Sequence, residues 1–365
     1  MRIQNFKVWL LIASSLFVVS LGITGELYLI NTSSILDHTS GAQAKFSTHN
    51  SLNTDKQITR NATVDNTSLS GYVSAISLGQ LILDDPYSDK QWALSRIQAP
   101  KLWQVTTGDH DILVAILDTG VDKNHEDLAG KVAAEVNFTE SPTLSDINGH
   151  GTHIAGIIAA TSNNGKGIAG LAPESRLLNV KVADDRGRCQ ATDVARGIVW
   201  AVDNGAKVIN LSLELAEPSE DVARATEYAL KHGALVITAA GNDGSDTPVY
   251  PAGYENTIAV AALTMDERLA PLSNHGEWVD VAAPGMNIYS SLPDNNYGYK
   301  TGTSFATAHV SGVAAVLFSI AVDINSNGRV NDEVRYAIEG SCDRIGIEEI
   351  GNGCINAAAA LATMH

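Results

Sequence analysis

The chain has 365 residues, of which 44% are apolar, so it is long enough for one large domain preceded by a smaller segment. Aspartate and glutamate together number 41 against 24 lysines and arginines, which gives a formal net charge of -17 at pH 7. This acidic balance argues against nucleic acid as a partner and would mildly attract cationic peptides.

Residues 1–25 contain an apolar run that indicates export. Two basic residues precede an uncharged stretch from Val8 to Gly25. If the apolar part ends at Val19, the small residues that follow suit cleavage of a signal peptide, which is the interpretation we favour. If it continues, it barely reaches the length that spans a bilayer. We therefore predict a signal peptide or an N-terminal membrane anchor, with membrane contact through this segment alone and the rest of the chain outside the cytoplasm.

Residues 26–83 are rich in Asn, Ser and Thr and show no clear alternation of strands and helices. Asn31, Asn61 and Asn66 lie in triplets of the glycosylation type, which matter only if the host glycosylates. We expect a mostly flexible linker or pro-segment that is removed near Asp84 or earlier. Residues 84–365 are then predicted to form a single domain.

Apolar runs alternate with helical stretches along this domain. Strands are predicted at 111–117, 176–182, 207–211, 234–238 and 257–261, and amphipathic helices at 193–204 and 221–232. Two further stretches, after His150 and after Ser304, are apolar nearly all round and predict buried helices. Strands that alternate with helices imply an α/β fold, here a three-layer sandwich with a largely parallel sheet and helices on both faces.

Three short motifs supply a carboxylate, an imidazole and a hydroxyl. Asp118-Thr119-Gly120 ends the first strand, whereas His150-Gly151-Thr152-His153 and Gly302-Thr303-Ser304 begin the two buried helices. A serine hydroxyl becomes a strong nucleophile when an imidazole takes its proton, and that imidazole needs a carboxylate to fix its tautomer and orientation. The chain order Asp, His, Ser is that of subtilisin.

Each motif taken alone has another interpretation. Asp-Thr-Gly occurs in aspartic proteases, but these need two carboxylates that share a proton, and the chain has no second triplet of this kind. His150 and His153 could bind a metal, but the His-Glu-x-x-His pattern is absent. Gly302-Thr303-Ser304 could be a turn, or a nucleophile elbow that fails because Ala306 stands where glycine is needed. Jointly the motifs favour a serine hydrolase.

The motif set resembles the subtilisin-like serine proteases, and in particular their thermitase-like branch, from about Asp84 to the C-terminus. The resemblance implies that Ser304 is the nucleophile, His150 the general base and then acid, Asp118 the orienting carboxylate and Asn242 the oxyanion donor. It also implies a set of residues that bind extended substrate, namely Ser212, Leu213, Glu214, Ala240 and Gly241.

Three positions depart from the family pattern. Phe305 stands where the family usually has a methionine that oxidises to the sulfoxide, so we expect resistance to peroxide. Ala308 replaces the usual proline, which removes a local constraint but no catalytic group. Glu214 replaces a glycine that lets substrate backbone approach closely, and it would either narrow the cleft or attract a basic side chain.

A structural calcium ion is a further implication of the resemblance. Its ligands would be the side chains of Asp85, Asp127 and Asn164 and the carbonyl groups of Thr161, Lys166 and Ile168. Oxygen ligands of this mixed kind suit calcium, although the same loop is also a plausible plain turn. Another loop, 323–328, begins like an EF-hand, but its twelfth position is Val334 instead of glutamate, so we expect a connection between helices.

The three cysteines leave one unpaired if a disulfide forms. Cys342 and Cys354 flank a glycine-rich turn, and export would permit their pairing. Cys189 falls near the segment that lines the substrate cleft in relatives, and we interpret it as a small buried hydrophobic residue.

The sequence as a whole predicts an exported serine endopeptidase that acts as a monomer on protein or peptide substrates. Two alternatives stay open. A peptide-binding protein could keep the same scaffold without catalysis, and an esterase could use the same nucleophile.

Overall fold

The computed structural model describes residues 83–364 and the backbone of two short strands, Leu16–Ser20 and Leu27–Asn31, which pair antiparallel. Contacts divide the chain into one unit of Met1–Ser68 and a second of Leu69–His365. Apart from those strands and Leu83, the predicted signal or anchor segment and the polar pro-segment lie outside the described residues. Within the described residues, no helix combines the length and the apolar composition that a membrane crossing requires.

A seven-stranded parallel sheet lies at the centre of the larger unit. In chain order its strands are β1 Leu113–Asp118, β2 Val132–Asn137, β3 Arg176–Lys181, β4 Ala206–Leu211, β5 Leu235–Ala239, β6 Ile258–Leu263 and β7 Val281–Pro284. Their spatial order is β2-β3-β1-β4-β5-β6-β7, and every neighbouring pair is parallel. The inner strands are mostly apolar because both of their faces are covered.

Helices cover both faces of the sheet, which confirms the predicted three-layer α/β fold. They are α1 Trp92–Arg96, α2 Ala99–Trp103, α3 His150–Ala159, α4 Ala191–Asp203, α5 Glu220–Lys231, α6 Thr303–Phe318, α7 Asn331–Gly340 and α8 Ala357–Ala362. Helices α3 and α6 belong to one apolar core, and α4 and α5 belong to the other. Every residue of α6 is buried, as its apolar composition predicts.

An antiparallel hairpin leads from the sheet into α6. Its strands are β8 Ile288–Leu292 and β9 Asn296–Lys300, and Ile288 lies opposite Lys300 in the register. The loop that begins like an EF-hand connects α6 to α7, so the prediction of a helix–helix connection is confirmed.

All three cysteines carry free thiols, so the pairing that export would permit between Cys342 and Cys354 is not formed in this structure. Burial raises the pKa of Cys342 and of Cys354 to about 12. Cys189 is half-buried and packs against the core that contains α4 and α5, which agrees with its interpretation as a small hydrophobic residue.

Candidate active site

Asp118 and His150 are held together by a short contact. Nδ1 of His150 lies 2.8 Å from Oδ1 and 2.9 Å from Oδ2 of Asp118, whose side chain is buried at the end of β1. The N–H of Thr119 also donates to Oδ1 of Asp118, at 2.7 Å. A carboxylate only accepts hydrogen bonds, so Nδ1 carries the proton and Nε2 is left as an acceptor.

The charges around His150 oppose the effect of its burial. Burial lowers the pKa of His150, but the charge of Asp118 and its hydrogen bond raise it, and Asp146 adds to that effect. Lys300 acts in the opposite direction, and the net result is a raised pKa. An imidazole of this kind favours the protonated form once it has accepted a proton from a neighbouring hydroxyl.

Asp146 is a buried carboxylate that the sequence analysis missed. Its Oδ1 accepts from the N–H of Gly149 at 2.8 Å and from the hydroxyl of Thr119 at 2.9 Å, while its Oδ2 accepts from the N–H of Thr152 at 2.8 Å. The first N–H groups of a helix have no partner inside it, and a negative charge there is favourable. Asp146 therefore fixes the start of α3, where His150 is the first residue, and is a positioning residue.

Ser304 is the second residue of α6, and its side chain is buried against the end of β4. Its Oγ donates to the carbonyl oxygen of Ser212 at 3.3 Å, and Ser212 Oγ donates to the carbonyl oxygen of Ser304 at 2.9 Å. Within residues 83–364, no hydrogen bond joins Ser304 Oγ to His150. Catalytic hydrogen bonds often tighten only when a substrate binds.

The ring of Phe305 lies against both histidines of α3. Its centroid is 5.5 Å from that of His150 and 4.8 Å from that of His153, and the side chain is 3% exposed. His153 is fully buried with Nε2 at 3.1 Å from the carbonyl oxygen of Ile288, and burial lowers its pKa to about 3. The two histidines are thus engaged with different partners, unlike a pair that shares a metal.

Asn242 is anchored through its side-chain oxygen. Oδ1 accepts from the N–H of Thr303 at 2.9 Å and from the Thr303 hydroxyl at 3.2 Å. These two bonds assign the orientation of the amide, so Nδ2 points away from Thr303. Asn242 is exposed, and its Nδ2 has no partner among the described residues, so this donor is free for a ligand in the cleft.

The five residues predicted to bind substrate follow two neighbouring strands. Ser212, Leu213 and Glu214 come after β4, whereas Ala240 and Gly241 come after β5. Gly241 has φ +103°, and a Cβ there would lie 2.9 Å from Oε2 of Glu214, so the glutamate side chain crosses over this glycine. Burial raises the pKa of Glu214, and the charge of nearby Asp243 raises it further. A carboxylate therefore stands beside Asn242 on this wall of the cleft.

The residues predicted to bind calcium gather at one loop. Asp85 is 2% exposed, and its carboxylate accepts from the N–H groups of Asn163 at 3.0 Å and Asn164 at 3.3 Å. Asp127 is fully buried and accepts from Asn164 Nδ2 at 3.1 Å and from the N–H of Ile168 at 2.9 Å. Burial raises the pKa of Asp85, and the charge of Asp127 contributes. Carboxylates buried side by side suit a divalent cation, and Thr161 and Lys166 lie in the same loop.

Comparison with known proteins connects this geometry to a family. A family model described as the subtilase family matches residues 109–346. Thermitase from Thermoactinomyces vulgaris is 46% identical, over 72% of this chain and 92% of its own length. A thermophilic serine proteinase from Bacillus sp. (strain AK1) is 44% identical over 72% of this chain, which spans 64% of that proteinase. Among solved structures, a protease from Pseudoalteromonas arctica PAMC 21717 matches with a TM-score of 0.70 and 29% identity, over 78% of this chain and 99% of that chain.

Proposed function

The chain belongs to the subtilase family of subtilisin-like serine endopeptidases, and we propose that Asp118, His150 and Ser304 are its catalytic triad. His150 Nε2 takes the proton of Ser304 as Oγ attacks the carbonyl carbon of the peptide bond. The resulting imidazolium, stabilised by Asp118, then gives this proton to the leaving amine, and an acyl-enzyme remains on Ser304. Water then attacks the acyl carbon while His150 Nε2 takes its proton, and His150 returns that proton to Ser304 Oγ as the ester bond breaks and the carboxylic acid product leaves. The bond between His150 Nδ1 and Asp118 carries this proposal, because it leaves Nε2 ready to accept a proton.

Asn242 is proposed to stabilise the oxyanion that forms during each attack. Its Nδ2 and the backbone N–H of Ser304, which lies in the first turn of α6, would donate to that oxygen. The anchoring of Oδ1 by Thr303 supports this role because it holds the donor in place before the substrate arrives.

Labelling of Ser304 tests the proposal against its two alternatives. A fluorophosphonate probe should label the wild-type protein and not Ser304→Ala, whereas Ser319→Ala, at the C-terminal end of the same helix, should be labelled normally. A non-catalytic peptide-binding protein would not be labelled. Hydrolysis of ester substrates without hydrolysis of peptides would favour the esterase.

Calcium binding is proposed at the loop that contains Asp127. The side chains of Asp85, Asp127 and Asn164 and the carbonyl groups of Thr161, Lys166 and Ile168 would hold the ion, which would offset the repulsion between the two buried carboxylates. A chelator should lower the melting temperature of the wild type, and calcium should restore it. An unchanged melting temperature, or an equal effect of the chelator on Asp127→Asn, would contradict the site.

Export is proposed from the N-terminal sequence, with residues 1–25 as a signal peptide or anchor and residues 26–83 as a pro-segment that is removed. The N-terminus of the mature protein, determined by mass spectrometry on culture medium and on membranes separately, tests both statements. Mature protein that retains residues 26–60 would contradict removal of the pro-segment.

A further inference from the structure

Lys300 is a basic side chain next to the proposed triad, and its ammonium group is unpaired among the residues that the structure describes. Its Nζ forms no hydrogen bond or ion pair within residues 83–364. Burial lowers the pKa of Lys300, while the charges of Asp146 and Asp118 raise it, so the ammonium group lies within electrostatic reach of both carboxylates. It also lowers the pKa of His150 and of His153. Lys181, by contrast, is fully engaged, with Nζ at 2.7 Å from Asp185 Oδ1.

The hairpin β8–β9 fixes the place of this side chain. Lys300 lies opposite Ile288, and the carbonyl group of Ile288 contacts His153 Nε2, one turn along α3 from His150. At the other end of the hairpin, a Cβ on Gly149 would lie 3.1 Å from Cδ of Pro293. The hairpin therefore runs alongside the start of α3 and forms the wall of the cleft on the His150 side.

The geometry of the reaction determines whether the acyl half or the leaving-group half of a substrate contacts that wall. The oxyanion points to Asn242, and the acyl half lies along the segments that contain Ser212 and Gly241. The leaving amine must reach His150 Nε2 to be protonated, so the residues that follow the cleaved bond extend past His150. Glu214 lies over Gly241 after β5, whereas Lys300 lies at the end of β9 opposite Ile288, so the two charges belong to different segments that line the cleft.

We propose that Lys300 selects substrates that carry a carboxylate on the leaving-group side of the cleaved bond. The carboxylate would belong to an aspartate or glutamate directly after that bond, or to the C-terminus of a substrate that ends there. The inference rests on the proposed function and adds a substrate class to it. An ammonium group without a protein partner gains more from such a carboxylate than one that already forms an ion pair.

Matched peptides test the preference. Two C-terminally amidated peptides differ only in glutamate against glutamine directly after the cleaved bond, and a third carries glutamine and a free C-terminal carboxylate. We expect kcat/KM to be about 3- to 10-fold higher for the glutamate peptide at low salt, and the ratio to fall as salt is added. If kcat/KM is higher for the third peptide than for the amidated glutamine peptide, a C-terminal carboxylate is also selected.

Variants of the lysine decide whether it is responsible. The glutamate-to-glutamine ratio should fall to about one in Lys300→Met, persist in Lys300→Arg and invert in Lys300→Glu, which would favour a lysine peptide instead. Lys207→Met, a half-buried lysine at the start of β4, should leave the ratio unchanged. A ratio of one in the wild type, or an unchanged ratio in Lys300→Met, would overturn the proposal.

Two further results separate substrate selection by Lys300 from an effect on His150 and from the proposed protease function. Equal slowing of both amidated peptides in Lys300→Met, together with a shifted pH profile, would show that Lys300 acts only on the pKa of His150, and it would overturn the selection of substrate. If the wild type cleaves no peptide and Ser304 is not labelled, the proposed function itself fails. Normal labelling and cleavage with no glutamate preference would overturn only the role of Lys300.

Discussion

The side chain of Asn242 has a structural contact and a proposed catalytic role, and two substitutions separate these two functions. Its Oδ1 accepts from the N–H and the hydroxyl of Thr303 at the start of α6, whereas its Nδ2 is the proposed oxyanion donor. Asn242→Asp keeps an oxygen facing Thr303 and replaces the donor with a second oxygen. Asn242→Ala removes both groups.

Both variants should lower kcat, but only Asn242→Ala should lower stability. The bond to Thr303 is a helix-capping contact, so its loss in Asn242→Ala costs about 0.5–2 kcal/mol of unfolding free energy. Asn242→Asp keeps that bond, and the gain of about 0.3–1 kcal/mol from a negative charge near a helix N-terminus offsets repulsion from the neighbouring carboxylate of Glu214. Loss of the oxyanion donor lowers kcat by about 100- to 1000-fold in subtilisin itself. The loss in Asn242→Asp should be at least as large, because a carboxylate would face the developing negative charge.

Unfolding is best measured on a Ser304→Ala background, which prevents self-digestion, and kcat is measured with Ser304 intact. We expect Asn242→Asp to unfold at the same denaturant concentration as its parent or a higher one, while it loses at least 99% of the activity, that is, about 100-fold. An Asn242→Asp enzyme that kept more than about a tenth of the wild-type kcat would refute the donor role. Equal destabilisation of both variants would refute the capping role.

Four other substitutions or conditions give separate tests. Asp146→Asn turns one buried acceptor into a donor that must face backbone N–H groups, so we expect about 2–4 kcal/mol of destabilisation. Loss of the charge should also lower the pKa of His150, which moves the acid limb of the kcat/KM pH profile to lower pH. An unchanged acid limb together with an unchanged unfolding midpoint would contradict this role of Asp146. The Phe305→Met enzyme should lose activity in peroxide, whereas the wild type should keep its activity. Rapid loss of activity in the wild type would contradict this prediction. Gly312→Ala should lower the melting temperature, because its Cβ would lie 2.6 Å from a leucine Cβ. Overpacking of this kind costs about 1–3 kcal/mol, which exceeds the gain of about 1 kcal/mol in helix propensity. Gly340→Ala, with its nearest atom at 3.8 Å, should raise the melting temperature, and a rise in both would be inconsistent with overpacking. Burial lowers the pKa of His309 from 6.5 to about 4, so the unfolded chain gains a proton first as the pH falls. Unfolding free energy should therefore drop by up to about 3 kcal/mol between pH 6.5 and 4, and a urea midpoint that stays constant over that range would exclude this effect.

The strands that the sequence predicted are the inner strands of the sheet, and the edge strands β2 and β7 were not predicted. β1 and β3 to β6 are mostly apolar, and they lie within two residues of the predicted bounds. β2 escaped prediction because it is an edge strand whose residues are only partly buried, and its apolar run is broken by Glu135. The hairpin β8–β9 escaped it because tyrosine, serine and asparagine predominate over aliphatic residues there. Hydrophobic periodicity reports burial, and β2 and β9 are only partly buried, whereas β8 is buried but carries tyrosine and serine in place of aliphatic residues.

The sequence could place Asp118, His150 and Ser304 at one edge of the sheet, because parallel strands end there and the helices that follow begin there. It could not show the supports of the site. Asp146 acts on the first turn of α3, and its role depends on where that helix begins. Lys300 is brought beside His150 only by the register of the hairpin with Ile288, and no local motif encodes that register.

The starts of α3 and α6 are built alike, because at each a side chain from outside the helix binds the first N–H groups and also has a proposed part in the reaction. Asp146 binds the start of α3 and raises the pKa of His150, while Asn242 binds the start of α6 and presents an amide donor. If the proposed roles hold, stability and catalysis are coupled at both helix ends, because a change that loosens either contact moves a proposed catalytic group. Lys300 differs, because among the described residues its Nζ forms no hydrogen bond or ion pair that would fix a neighbouring element. A side chain with charge near the reacting atoms but no structural duty is the one that can change substrate preference at the least cost to folding.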